Sequence, residues 1–249
     1  METPTDSKGL RIATWNMAYW SHRGMLDDAW KCYLTSADAD FYLFQEGRPG
    51  AVVNRETHLV WNAIGGSRDW GSGIYSPIHE IVEEDIGSSF KGALTIGNAN
   101  VRGTALTLIS LYGLMESSGP TKGYAIPNLH RMVSDLTGLL NGHIGGKRNI
   151  ILGGDLNAST QLDPRQGNRS HELLFARIAD FGLEDAHTRS GRDAHVQTLR
   201  HRNSTVPWHN DYVFISTGLA GRLKGYEVID TENVRHFSDH NIVVIDIEL

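Results

Sequence analysis

Apolar and polar positions alternate along this chain in two rhythms. "LRIATWN" at 10 to 16 and "ADFYLFQE" at 39 to 46 have the pattern of buried strands. Between them Met25, Leu26, Ala29, Trp30, Tyr33 and Leu34 recur at helical spacing, which predicts a strand, helix, strand opening. From "GSGIYSP" to "SLYGLM" the apolar runs shorten and are broken by Gly, Asn and Pro, as in successive hairpins. In "TALTLISLYG" the residues Leu106, Leu108, Ser110 and Tyr112 fall on one face of a strand. The stripe Ile126, Leu129, Val133, Leu136 and Leu140 predicts one helix that Gly142 ends. After the strand "RNIILGG" comes another predicted helix, "SHELLFARIADFG", with Ser170 as its N-cap and Leu174, Ile178 and Phe181 turned inward. The last third supplies the strands "NDYVFIS" and "NIVVIDIEL".

Many strands, few helices and no run of strict βαβ units predict two packed sheets flanked by helices. The 249 residues suit one domain over 10–249 behind a flexible start at 1–9. Hydrophobic residues at 40% and charged residues at 21% are enough for a sizeable core. Cys32, the single cysteine, excludes an intrachain disulfide and fits a reducing compartment. The polar start has no basic segment leading into an apolar run, and no stretch reaches membrane-spanning length, so a cytoplasmic protein without a membrane partner is expected. With 23 Lys+Arg against 29 Asp+Glu, the net charge of -6 argues against a protein that coats duplex nucleic acid. One segment, carrying Arg189, Arg192, Arg200 and Arg202, could still meet a polyanion locally.

Several strand signals end in residues that a core would not choose. "IATWN" ends in Asn16, "FYLFQE" in Glu46 and "IILGGD" in Asp155, while "FSDH" sits at the mouth of the last strand. Unpaired buried charge is costly, so such carboxylates should be paired, solvated or bound to a cation. Asp155 and Asn157, two apart in extended chain, can face one pocket. Taken singly each has a plainer explanation: "GDLN" is a good turn, Asn16 a cap, Glu46 a solvated end, and Asp239 and His240 a surface pair. The set in its order is what points to chemistry.

"TWNM", "FQE", "GSGIYS", "SLYG", "GGDLNAS", "NDYVFIS" and the terminal "SDH" follow one another from Thr14 to His240. In that order they resemble the motifs of the endonuclease/exonuclease/phosphatase superfamily, with its deoxyribonuclease I-like fold. The resemblance covers nearly the whole chain from Leu10. It implies an α/β (α+β) four-layer sandwich: two mainly antiparallel sheets face to face, helices outside, and a site at one end of the sheets. It also implies metal-dependent phosphoester hydrolysis with Mg²⁺, for which Mn²⁺ could substitute; a hard cation takes oxygen ligands. Glu46 would hold the metal with help from Asn16, and Asp239 would serve a second ion or the first ion's waters. Asp155 would orient and deprotonate the attacking water, and Asn157 would hold a phosphate oxygen or that water. His240 would donate to a nonbridging phosphate oxygen with Asp211 orienting its ring, and Tyr112 would contact phosphate or the leaving oxygen.

Around these, Arg200 and Arg202 are candidates for substrate phosphate and Trp208 for stacking on a base or sugar. The chain departs from abasic-site endonucleases at Ala18 and Tyr19, where an acidic or amide residue followed by Gly is common. "PWHNDYVF" likewise departs from the inositol phosphatase variant. The leading expectation is a nuclease acting on nucleic acid. The alternatives are an enzyme for a small phosphorylated substrate, such as a phosphoinositide, nucleotide or lipid headgroup, and a silent binding module on the same fold.

Overall fold

The computed structural model describes residues 9–53, 56–143, 148–192 and 195–249. Residues 1–8, most of the expected flexible start, lie outside them. The strands are β1 (Leu10–Asn16), β2 (Phe41–Gly47), β3 (Leu59–Gly65), β4 (Arg68–Tyr75), β5 (Val82–Glu83) and β6 (Leu94–Val101). They continue with β7 (Thr104–Leu111), β8 (Asn149–Asp155), β9 (Leu183–Asp185), β10 (Asp211–Ser216), β11 (Leu223–Ile229) and β12 (Ile242–Ile247).

Two six-stranded sheets form, in the orders β11-β12-β1-β2-β4-β3 and β5-β6-β7-β8-β10-β9. Both are mixed but mainly antiparallel. In each the third and fourth strands, β1 with β2 and β7 with β8, are the parallel pair. The sheets pack face to face over Ile12, Phe41, Leu43, Leu106, Leu108, Ile151, Val213 and Ile245. The opposite face of the first sheet buries Trp15 and Phe44 against Trp30 and Tyr33 of the helix Leu26–Ala37. The opposite face of the second buries Ile109, Ile150 and Leu152 against the helices Ile126–Asp135 and Ser170–Asp180. Period-two alternation explains this sorting, because Ile151 faces inward while its neighbours Ile150 and Leu152 face the helices. The result is the expected four-layer α/β sandwich.

Two local expectations are corrected. The predicted single helix through Leu140 is two, Ile126–Asp135 and Thr137–His143, with Gly142 inside the second rather than beyond its end. At Leu136 the backbone relaxes to ψ -8, while the Thr137 hydroxyl donates to the Val133 carbonyl at 3.3 Å, a local bond that competes with regular helix. Ser170 is the first helical residue rather than the cap. The Asp163 carboxylate satisfies that helix start instead, accepting from the backbone of His171 at 3.0 Å and Glu172 at 2.8 Å.

Backbone approach at the end of β8 is close. A Cβ on Gly154 would lie 1.8 Å from the Leu111 carbonyl oxygen, so no side chain fits there.

Candidate active site

Both central parallel pairs run toward the same end of the sandwich, and the residues at or just past their last positions meet there. Asn16 ends β1 and its Nδ2 donates to Asp155 Oδ2 at 2.9 Å, linking one sheet to the other. Glu46, near the end of β2, sits where the register with β4 shifts between Phe44 and Gly47, and its φ is 44°. That bulge, with a left-handed backbone at a residue other than glycine, re-aims the carboxylate out of the strand's ordinary alternation. Tyr112, just after β7, is buried near enough to Glu46 for that carboxylate's charge to bear on its phenol. Asp155 ends β8 and stands directly opposite Asp211, the first residue of β10, in the antiparallel ladder. Asn157 also has a left-handed backbone, φ 47°; its N–H donates to Asp155 Oδ1 at 2.8 Å and its Nδ2 to the Gly113 carbonyl at 3.1 Å.

His240 completes the group. Its Nδ1 lies 2.9 Å from Asp211 Oδ2 and its Nε2 lies 3.8 Å from Asp155 Oδ2, too far for a hydrogen bond. Asp155, Asp211 and His240 are all buried, with candidate ligand atoms within 4.8 Å of one another. The first ring nitrogen is committed to Asp211, and the second is free to meet a group placed between His240 and Asp155.

A layer of neutral polar residues holds these side chains. The Ser238 hydroxyl donates to the Asn16 carbonyl at 2.7 Å and accepts from the His240 N–H at 3.0 Å, tying β1 to the mouth of β12. Gln45 donates to Ser110 at 2.9 Å, and Ser110 donates to the Phe44 carbonyl at 2.9 Å, which bridges the sheets beneath Glu46. The fully buried Thr198 hydroxyl accepts from the backbone of both Asn210 and Asp211 at 2.9 Å. Thr198→Val leaves both N–H groups without an acceptor, and each buried orphan is expensive. Chemical denaturation should show a loss of about 3 kcal/mol.

Burial pushes the Asp155 carboxyl well up from its ordinary range; the His240 charge opposes the rise and Asp211 adds to it. Burial alone would push His240 down, but Asp211 and Asp155 outweigh it and hold the imidazolium well above its usual range. Burial also drives Tyr112 upward, helped by Glu46 and Asp155, so it stays a neutral phenol. The site therefore presents a strengthened carboxylate base beside an imidazolium donor.

The donor set also decides which metal would fit. Glu46 offers a half-buried carboxylate, and Asn16 Oδ1 accepts one bond, from Ala18 N–H at 3.0 Å, leaving a lone pair. Asp239 is exposed beside His240. Two buried carboxylates share one imidazole, so negative charge is in excess. Oxygen donors of this kind fit a hard divalent cation rather than a thiolate-seeking one.

The outlying residues fall elsewhere. The Arg200 guanidinium is occupied by Asp230 at 2.7 Å, by Asn241 and by the Ser238 carbonyl at 3.1 Å. Arg189 pairs with Glu184 at 3.5 Å, and Arg192 lies over the Tyr226 ring. Arg202 is exposed. Trp208 is buried, donating to Ser204 at 3.1 Å with Arg165 over its ring. Three of the four arginines in that segment thus hold the loop rather than extend from it.

A family model described as "Endonuclease/Exonuclease/phosphatase family" matches residues 13–240, from β1 to the site histidine. The chain belongs to that family. A search of curated protein sequences finds no match. Among solved structures, the AP endonuclease LMAP from Leishmania major is similar with a TM-score of 0.76 at 15% identity, covering 100% of this chain and 91% of that one. The 3' phosphatase NExo from Neisseria, bound to a product DNA hairpin, gives 0.67 at 16% identity over 96% and 100%. D. rerio TDP2, complexed with a single-strand DNA product, gives 0.62 at 16% over 97% and 99%. At these identities the likeness is one of fold.

Within this endonuclease/exonuclease/phosphatase domain, sequence reasoning passed over Trp20, Arg68 and Thr198. Trp20 donates its indole N–H to Glu46 Oε2. Arg68 lies 5.4 Å over the Trp70 ring, which meets Tyr112 edge-on. No spacing rule links these positions to the strand-end motifs: Trp20 sits in a 3-10 turn, Arg68 opens β4, and Thr198 lies between named elements. Thr198 was legible only as a polar residue in a basic loop.

His209, two residues before Asp211, shapes the domain's acid sensitivity. Burial, with His187 and His195 nearby, holds it down from 6.5 to about 3. The unfolded chain then takes up a proton near pH 6.5 that the folded chain refuses, so stability falls as pH drops below that value. By pH 5 the cost is about 2 kcal/mol, a melting point lower by roughly 5 °C than at pH 7. Thermal melts of His209→Phe should show a shallower decline over the same range, even if the variant begins lower.

Proposed function

We propose that this domain hydrolyses phosphodiester bonds in nucleic acid with a divalent cation, Mg²⁺ or in its place Mn²⁺. The observation that carries the reading is Asp155. A carboxylate made more basic by burial is oriented by Asn16 and Asn157, and an imidazole nitrogen with no hydrogen-bonding partner among the described residues stands 3.8 Å away. A group that takes a proton from water belongs beside a group that donates to a phosphate oxygen, because attack and charge build-up occur together. Glu46 would hold the cation, with Asn16 Oδ1 beside it and Asp239 at the exposed edge. The cation would supply Lewis-acid stabilisation of the phosphoryl oxygens.

The chain's own residues do the rest. Asp155 orients the water and accepts its proton. Asn157 positions that water or a phosphate oxygen, and its left-handed backbone fixes where its amide points. His240, held charged by Asp211, donates from Nε2 to the phosphoryl group. Tyr112, a neutral phenol, donates toward phosphate or the leaving oxygen. Two of the similar structures, NExo bound to a product DNA hairpin and D. rerio TDP2 with a single-strand DNA product, support nucleic acid as the substrate. Among the described residues no helix is long and apolar enough to cross a membrane. The single cysteine favours the cytoplasm as the place of action.

A second reading, a small phosphorylated substrate, draws on the net charge of -6 and on the arginines consumed in loop contacts. Purified protein assayed with Mg²⁺ on single- and double-stranded DNA, RNA and inositol phosphates separates the two. Cleavage of nucleic acid that stops with chelator and returns with Mg²⁺ supports the first. Turnover of inositol phosphates alone supports the second, and binding without turnover of anything would leave a silent module. Glu46→Gln is expected to raise the Mg²⁺ concentration needed for half-maximal rate about tenfold or more, since one charged ligand is lost.

A further inference from the structure

Trp20 is 56% exposed, whereas Trp15 and Trp30 are fully buried and Trp70 and Trp208 nearly so. An indole left in water at the edge of a site offers a broad flat apolar face with a polar N–H at one edge. Its backbone is not loose. Ala18 adopts a left-handed conformation, φ 45°, with its N–H on Asn16 Oδ1 at 3.0 Å. Ser21 then closes a single 3-10 turn, its N–H 2.9 Å and its hydroxyl 2.8 Å from the Ala18 carbonyl. The bond that orients Asn16 therefore also sets the turn that carries Trp20. Tyr19 anchors the turn inward, and Trp20 reaches back to place its N–H on Glu46. One edge of the indole is engaged by the site, and more than half of the side chain is left to solvent.

The surroundings add charge. Arg23 and Arg48 both approach the Tyr19 ring and share one carboxylate, Asp69, at 3.9 and 2.8 Å. Arg68, exposed over Trp70, lies on the Tyr112 side. Arg23, Arg48 and Arg68 thus place three guanidinium groups around the exposed indole, among the carboxylates Asp69 and Glu46. The combination of an exposed aromatic face with flanking cations is what an unpaired nucleotide strand requires: stacking for a base and charge for the phosphates beside it. A base paired within a duplex has its faces covered by its neighbours and cannot take this place.

We propose that Trp20 is a specificity-determining residue that stacks on an unpaired nucleobase next to the scissile phosphate, so that the domain acts on single-stranded nucleic acid. This rests on the phosphodiesterase reading above. Because Trp20 also touches Glu46, its loss affects cleavage of any substrate to some degree, and the informative quantity is a ratio. The experiment compares kcat/KM, with Mg²⁺, on a dT octamer and on an octamer of the same length whose sugars carry no bases.

Wild type is expected to prefer the octamer with bases. Trp20→Ala should cut that preference about tenfold, within the range that loss of one base–aromatic stack gives. Trp20→Phe, which keeps a stacking face but not the N–H to Glu46, should recover most of it. Titrating Asp155→Asn with the dT octamer should quench tryptophan emission, and the quench should vanish in Asp155→Asn/Trp20→Phe. An unchanged preference in Trp20→Ala, or a quench that survives without Trp20, overturns the inference. Wild type that cuts duplex but neither octamer overturns it and leaves the nuclease reading intact. Wild type that cuts no phosphodiester overturns both.

Discussion

Asp155→Asn should lower kcat on any phosphodiester that the wild type cleaves by roughly 10²- to 10⁴-fold, the range for removal of a positioned general base. The substitution keeps the shape and the oxygen that accepts from Asn157 N–H, but an amide has little basicity. It also turns the bond from Asn16 Nδ2 into a meeting of two donors unless one amide rotates. The fold should tolerate it. Asp155 is buried, and its charge is disfavoured by desolvation and by Asp211, so removing that charge offsets the lost hydrogen bond. The expected pair of results is a rate near background and a melting temperature equal to or above that of the wild type. Wild-type turnover in Asp155→Asn would remove the residue from its role. Lost activity with a melting point lowered by many degrees would make the residue structural instead.

His240→Ala should cost about 10²- to 10³-fold in kcat, as expected where a single charge-stabilising donor is deleted. Asp211→Asn acts through His240, since its carboxylate orients Nδ1 and favours the charged ring. Once His240 is alanine, adding Asp211→Asn should therefore change the rate little, because residues that work as a unit are not additive. Steady-state kinetics on the two single variants and the double variant closes the cycle. The pH profile gives an independent sign. Asp211 helps hold the imidazolium up, so Asp211→Asn should move the alkaline limb of the rate profile to lower pH. A limb that stays put, or singles whose effects multiply in the double, would separate the two residues.

Much of this arrangement can be read from the chain because its signals are local. Apolar runs such as Asn149–Asp155 declare where a strand lies and where it ends, and polar residues at those ends mark the site pole. The order of the motifs added the pairing of the sheets. Other features depend on partners far away in sequence. Arg200 looked like a free cation because Asp230 and Asn241, which occupy it, lie 30 and 41 residues on. Trp208 looked like a stacking platform because nothing in its neighbourhood shows that Arg165 covers its ring. Ser170 has the side chain of a cap, yet Asp163, seven residues earlier, reaches the same N–H groups with a full charge. Trp20 was hidden for the opposite reason. An aromatic residue ahead of a helix ordinarily packs inward, and only the turn set by Ala18 shows that this one does not.

The two parallel pairs at the sheet centres separate the molecule into a reactive rim and a quiet one. The tight Arg102–Gly103 turn between β6 and β7 belongs to the quiet rim, about 25 Å of strand from Tyr112. A dye, a surface tether or a new pair of chain ends grafted at that turn would leave the reactive rim open to long polymers. It is the natural handle for immobilising this protein with its other rim left open to candidate substrates.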